Sequence, residues 1–120
     1  MPELRWYFAY GSNMNTARMA QRCPGARCLD RGLLEGWRFT ICHRGVATLV
    51  PDERTAVEGV IWLIGPDHEQ ALDRYEGVAT GVYQKYRLPV LTASGEVHHA
   101  LVYIDPVTSE GTAVRGYMEL

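Results

Sequence analysis

Between Cys28 and Ile64 the sequence is a train of short apolar, β-branched and aromatic runs, broken by Gly32, Gly36, Gly45 and Pro51. Breakers at that spacing deny the stretch any long helix: proline removes a backbone donor, and each glycine costs a helix about 1 kcal/mol relative to alanine. The stretch therefore predicts strands at Cys28 to Leu34, Trp37 to His43, Val46 to Val50 and Val57 to Ile64.

The flanks complete the pattern. Arg5 to Tyr10 is rich in aromatics and reads as a buried strand that breaks at Gly11-Ser12-Asn13. A short helix is expected from Asn15 to Gln21, with Ser12, Asn13 and Asn15 as candidate N-caps. A second helix is expected from Pro66 to Glu76. Pro66 suits its first position, Asp67 and Glu69 suit the positive end of its dipole, and Gly77 stops it. Strands follow near Tyr86 to Leu91 and Val97 to Ile104, and Thr112 to Leu120 reads as the start of a further helix. About six short strands with two or three short helices indicate an α+β fold: a small mixed β-barrel or curled sheet. At 120 residues it is read as a single domain, 1–120.

Composition narrows the function classes. The formal net charge is −2, and the basic residues are scattered. Nucleic acid and anionic membranes select for clustered Lys and Arg, so neither is expected as a partner. Arg18 and Arg22 form the nearest approach to a cluster and read as a solvated helix face. No run is apolar enough to span a bilayer, and the N-terminus lacks the order of a secretory signal. The expected location is cytoplasmic. Cys23, Cys28 and Cys42 are odd in number and lack zinc-ligand spacing, so all three are read as reduced thiols.

Two places stand out for chemistry. Tyr10-Gly11-Ser12-Asn13-Met14 is a tight turn between a buried strand and a helix start. Unpaired N–H groups and a helix dipole there attract anions, and Gly11 lets the backbone approach a ligand. The same residues equally describe an ordinary capped turn. The other place is Glu76, four residues after Leu72 and hence on the same helix face. Leu72 should face the core and pull Glu76 inward, at the dipole end that disfavours a carboxylate; both effects raise its pKa toward that of a proton shuttle. Fraying into solvent, or pairing with Arg74, remains the other reading. Glu69 and Asp73 read as outward-facing acids. Cys42-His43 and His98-His99 are neighbours on strands, so their side chains oppose each other and cannot act as pairs. His68 reads as an exposed first-turn residue.

The string Tyr7-Phe8-Ala9-Tyr10-Gly11-Ser12-Asn13-Met14 resembles the opening signature of the gamma-glutamylcyclotransferase (AIG2-like) family. A second stretch is similar too: Leu72-Asp73-Arg74-Tyr75-Glu76-Gly77-Val78, then Gly81 and Tyr83. The resemblance implies that backbone amides around Gly11, Ser12 and Asn13 hold the α-carboxylate of a gamma-glutamyl group. It places the family's catalytic glutamate on Glu76, a pocket tyrosine on Tyr83, and further pocket positions on Tyr103 and Tyr117. It implies a cofactor-free, metal-free cyclisation: the substrate's α-amine attacks its own gamma-carbonyl and 5-oxoproline leaves. The implied partner is a small gamma-glutamyl substrate, and a homodimer is kept as a candidate assembly.

The sequence departs from the family near its end, where Pro-Ser-x-x-Tyr is replaced by Ala113-Val114-Arg115-Gly116-Tyr117 and the chain ends at Leu120. This leaves the leaving group open. The Tyr-Gly-Ser-Asn form argues against the branches acting on glutathione and on gamma-glutamyl-lysine. A binding module of the same fold is the rival reading, since one fold hosts many functions.

Overall fold

The alternation of side chains along extended segments sets two layers here. The computed structural model describes residues 4–11, 14–41, 47–78 and 83–104. Its elements are β1 (Arg5–Ala9), α1 (Thr16–Arg22), β2 (Arg27–Ile41), β3 (Ala47–Ile64), α2 (Pro66–Glu76), β4 (Gln84–Thr92) and β5 (Val97–Ile104). The strands close into a barrel in the order β1-β3-β2-β4-β5. Neighbours are antiparallel except β1 and β5, which close the barrel in parallel at Tyr7 opposite Leu101.

Period-two alternation sends Phe8, Tyr10, Val102 and Ile104 into the barrel with Leu34, Leu49, Val57, Ile61 and Val90. Tyr7, Ala9, Leu101 and Tyr103 point the other way and form a second cluster with Trp62 and Ile64. Met19 of α1 and Leu72 of α2, both fully buried, belong to that second cluster. The lumen is narrow. A Cβ on Gly59 would lie 2.4 Å from the Ala9 carbonyl oxygen and 2.7 Å from the Phe8 ring, so only glycine fits.

The runs expected as separate strands from Cys28 to His43 and from Val46 to Ile64 merge, so five strands are found where about six were expected. Gly36, at φ 88, does not end a strand. It sits between Glu35, paired with Ala56, and Trp37, paired with Pro51, so Gly36 alone spans the interval that residues 52–55 fill on β3, and pairing resumes beyond the shift. Pro51 lies in the ladder opposite Trp37, on the part of β3 beyond its pairing with β1, where a missing donor costs no ladder bond to that strand. Past the shift, β2 and β3 form a two-stranded arm that brings Leu49 into the lumen cluster and Thr48 into full burial.

The helices follow their sequence signals. Asn15 caps α1, its Oδ1 accepting from the Arg18 N–H at 3.1 Å. Pro66 opens α2, and Gly77 closes it in the left-handed region with its N–H bonded to the carbonyls of Asp73 and Arg74. His68, expected as an exposed residue, is half-buried. Its Nδ1 accepts from the Gly65 N–H at 3.1 Å and its Nε2 lies 2.6 Å from the Pro24 carbonyl, an arrangement that requires the Nε2–H tautomer. The expected helix from Thr112 to Leu120 lies outside the described residues. No helix among the described residues is long and apolar enough to cross a membrane.

Glu69 and Asp73 are corrections. Four residues apart on α2, both face the barrel instead of solvent. Glu69 accepts from Arg5 Nη1 and from Lys85 Nζ, each at 2.6 Å. Asp73 accepts from Lys85 Nζ at 3.1 Å and from the Tyr103 hydroxyl at 2.7 Å. These four bonds tie α2 to β1, β4 and β5. Burial pushes the Glu69 carboxyl up, but Lys85 and Arg5 outweigh it and hold the group below the usual glutamate range.

Candidate active site

Tyr10 follows β1 and turns its ring into the mouth of the barrel. Its hydroxyl donates to the Tyr103 carbonyl at 2.5 Å, and its ring meets Phe39 of the arm edge-on at a centroid distance of 6.5 Å. Only 9% of Tyr10 is exposed. Burial pushes its phenol well above the ordinary value, the neighbouring Tyr83, Glu76 and Tyr7 push the same way, and a hydrogen bond with Thr48 opposes them. Tyr10 is therefore neutral at physiological pH, with its hydroxyl committed to the Tyr103 carbonyl.

The same influences locate the neighbours. Tyr83, just ahead of β4, is buried and acts on Tyr10, and so does Glu76 in the last turn of α2. The Glu76 carboxyl is raised above the usual glutamate value by burial, and the Arg22 guanidinium opposes the rise. The sequence argument from Leu72 thus has its physical counterpart: Leu72 is fully buried, and Glu76, one turn on, is half-buried. Arg74 is exposed, so the cation that acts on Glu76 comes from α1 and not from its own helix.

Gly11 leaves β1 half-buried, and its carbonyl accepts from the Met14 N–H at 3.0 Å, which closes a tight turn. The Met14 side chain is 42% exposed at the edge of that turn. Ser12, Asn13 and Tyr117 lie outside the described residues, as do Cys42 and His43. Tyr103 reaches the site through its backbone. Its side-chain hydroxyl is committed to Asp73, its ring packs edge-on against Tyr7 at 5.9 Å, and burial and then Asp73 push its phenol far up. Tyr10 and the Tyr103 carbonyl are thus joined by a hydrogen bond with Gly11 next in the chain, Tyr83 and Glu76 act electrostatically on Tyr10, and the Tyr103 hydroxyl is turned to another task.

Sequence reasoning missed Thr48, Phe39 and Arg22. The first two lie on the arm, and nothing local in the sequence bends that arm toward Tyr10. The sequence pairs Arg22 with Arg18 as one solvated helix face. Arg18 is exposed, but Arg22 is half-buried, with its guanidinium 4.4 Å from the centroid of the Tyr75 ring. His98 stacks on Trp6 at 3.9 Å and bonds Glu96 at 3.0 Å. Among the described residues no group of three or more His, Cys, Asp or Glu is placed to hold a metal ion. A groove of about 260 Å³ runs along the β2–β4 seam by Gly32 and Thr92 and shares no residue with the Tyr10–Glu76 cluster.

The sequence matches the family model described as "Gamma-glutamyl cyclotransferase, AIG2-like" over residues 7–117. It is 36% identical to gamma-glutamylcyclotransferase of Mus musculus over 100 residues, covering 75% of this chain and 53% of the mouse protein. Against the Homo sapiens protein of the same name the identity is 35%, over the same 75% and 53% of the two chains. The chain spans about half the length of the curated relatives it matches. A solved structure of a gamma-glutamyl cyclotransferase superposes with a TM-score of 0.82 at 27% identity, covering 86% of this chain and 67% of that one. A solved AIG2-like protein of Mus musculus, 20% identical, shares the fold at a TM-score of 0.71 over 87% of this chain and 78% of its own.

Proposed function

The chain belongs to the gamma-glutamyl cyclotransferase, AIG2-like family, and from that premise we propose that it cyclises a small gamma-glutamyl amino acid or amine and releases 5-oxoproline. One observation supports this reading above the others: a half-buried carboxyl, Glu76, is raised by its burial and acts electrostatically on the neutral phenol of Tyr10. A carboxyl so placed suits proton transfer at neutral pH, where an ordinary surface glutamate is too weak a base.

In the proposed reaction the substrate's α-carboxylate rests on backbone amides of the Gly11–Asn13 turn, and Tyr10 and Tyr83 form the walls. Tyr103 contributes its carbonyl by fixing Tyr10, and Met14 and Tyr117 are further substrate-binding residues in this reading. Glu76 takes a proton from the α-ammonium. The freed amine attacks the gamma-carbonyl, and the carbon–nitrogen bond to the leaving group breaks as Glu76 gives the departing nitrogen the proton it holds. The second proton, shed by the ring nitrogen, passes by way of Glu76 to the released amine, which leaves as its ammonium. The products are the five-membered lactam and a free amine or amino acid. Nucleophile and electrophile share one molecule, so folding the substrate back supplies up to roughly 7–11 kcal/mol of the barrier. Acid–base work by Glu76 adds ~10²–10⁴-fold. Residues 1–120 act in this reading as one catalytic domain.

The test is 5-oxoproline release from a panel of gamma-glutamyl amino acids and amines, with Glu76→Gln beside the wild type. Turnover of one panel member, lost in a folded variant, upholds the reading. Binding without turnover, dependent on the ligand's α-carboxylate, replaces it with a binding module on the same fold.

A further inference from the structure

Glu69, Leu72, Asp73 and Glu76 occupy the i, i+3, i+4 and i+7 positions of one stripe of α2. Leu72 is fully buried in the cluster that joins the helices to the strands, so the stripe lies against the barrel. Residues of one stripe keep fixed offsets along a helix, and whatever holds Asp73 also holds the turn that carries Glu76.

Two groups hold Asp73, from adjacent strands. Lys85 of β4 and Tyr103 of β5 are direct cross-strand partners, so they project to the same face. Lys85 Nζ donates to Asp73 at 3.1 Å and the Tyr103 hydroxyl donates to it at 2.7 Å. The two are not equal. Lys85 carries its charge on a flexible stem and divides it between Asp73 and Glu69. Tyr103 is buried, with its ring edge-on against Tyr7 at 5.9 Å, so a packed ring aims its hydroxyl.

The backbone of the same residue reaches the other side of the site. The Tyr103 carbonyl accepts from the Tyr10 hydroxyl at 2.5 Å, and Gly11 follows Tyr10 in the chain. A continuous run of contacts therefore leads from Asp73, one turn ahead of Glu76, through Tyr103 to the residue just before Gly11.

We propose that Tyr103 is a positioning residue: its hydroxyl on Asp73 and its carbonyl on Tyr10 set the spacing between the helix that carries Glu76 and the turn that receives the substrate. The proposal rests on the reading of Glu76 as the acid–base residue. It takes the Tyr103 hydroxyl out of contact with substrate.

Steady-state cyclisation tests it. Tyr103→Phe removes one oxygen. A displaced proton-transfer group slows the reaction while the substrate still rests on its amides, so kcat falls roughly 10-fold with KM within about 2-fold. Asp73→Ala falls likewise, and Asp73→Asn, whose amide oxygen still accepts from the hydroxyl, falls less. Lys85→Gln breaks the ion pairs but leaves the tyrosine bond, so it keeps kcat near wild type. The double variant Asp73→Ala/Tyr103→Phe is no slower than the slower of its parents, because both remove one link. A wild-type kcat in Tyr103→Phe overturns the proposal, and so do single effects that multiply in the double variant. A raised KM at unchanged kcat also overturns it, because the hydroxyl then touches substrate. Should Asp73→Ala not fold, Tyr103→Phe and Asp73→Asn decide.

Amide hydrogen exchange needs no substrate. The Gly77 N–H, bonded to the carbonyls of Asp73 and Arg74, exchanges faster in Tyr103→Phe, while the Thr92 N–H, bonded to the Glu96 carbonyl, keeps its wild-type rate. Faster exchange at Gly77 in a protein that cyclises no panel member supports the link and removes the cyclotransferase reading. Active wild type with neither exchange nor kcat altered in Tyr103→Phe keeps that reading and overturns the proposal.

Discussion

The Tyr10 hydroxyl donates to the backbone carbonyl of Tyr103 at 2.5 Å, joining the residue after β1 to the last strand. The bond is buried, so neither partner has water as a substitute. Tyr10→Phe leaves the Tyr103 carbonyl without this donor and is expected to cost about 1–3 kcal/mol of unfolding free energy. Urea melts at fixed pH measure it. A loss under about 0.5 kcal/mol shows that the carbonyl finds another donor, and the bond is then incidental to the fold.

Glu76 sets a pH dependence of opposite sense to that of an ordinary surface acid. Its folded value is raised by burial, so between the unfolded and folded values the native state binds more protons than the unfolded chain. The stability it contributes is present below the ordinary glutamate value and is lost as pH rises through the folded value. Glu76→Gln abolishes that loss, so its stability relative to wild type should grow as pH rises across this window and then level off. Paired melts from acid to neutral pH test the sign, and a gap that shrinks with rising pH rejects it.

Glu69 behaves the other way. Held below the usual range by Lys85 and Arg5 against its burial, it stabilises the fold above the ordinary glutamate value, and that stability is lost as pH falls through the folded value. Its side chain is only 12% exposed, so solvent screens the pair weakly. Glu69→Gln should cost about 1–3 kcal/mol at neutral pH, with little difference left in acid. A neutral-pH cost that persists unchanged in acid would assign the effect to shape instead of charge.

Gly59→Ala should destabilise by about 1–3 kcal/mol, because the added methyl meets the Ala9 carbonyl oxygen at 2.4 Å and backbone cannot step aside as a side-chain tip can. Thermal unfolding of the variant gives the number. A wild-type melting temperature means that β1 and β3 separate there without cost.

The sequence carried the fold wherever a signal was local. Pro66, Gly77 and the i,i+4 spacing from Leu72 delivered α2 and the inward position of Glu76 because each acts within one or two turns. Gly36 and Pro51 misled because a register shift and a strand end use the same residue types, and only the pairing partner distinguishes them. Glu69 and Asp73 looked like solvated acids because their partners, Arg5, Lys85 and Tyr103, lie in other strands. Arg22 was illegible for the same reason: the ring that holds it arrives from the other helix.

The parallel pairing of β1 with β5 has a consequence for synthesis. A nascent chain exposes β1 first, yet that strand gains its second neighbour only when Val97–Ile104 has left the ribosome. The Tyr10 hydroxyl likewise waits for the Tyr103 carbonyl. Contacts of such long sequence separation form late because loop closure must precede their reward. A partly translated chain therefore carries β1 and Glu76 before the strand that closes the barrel around them has formed.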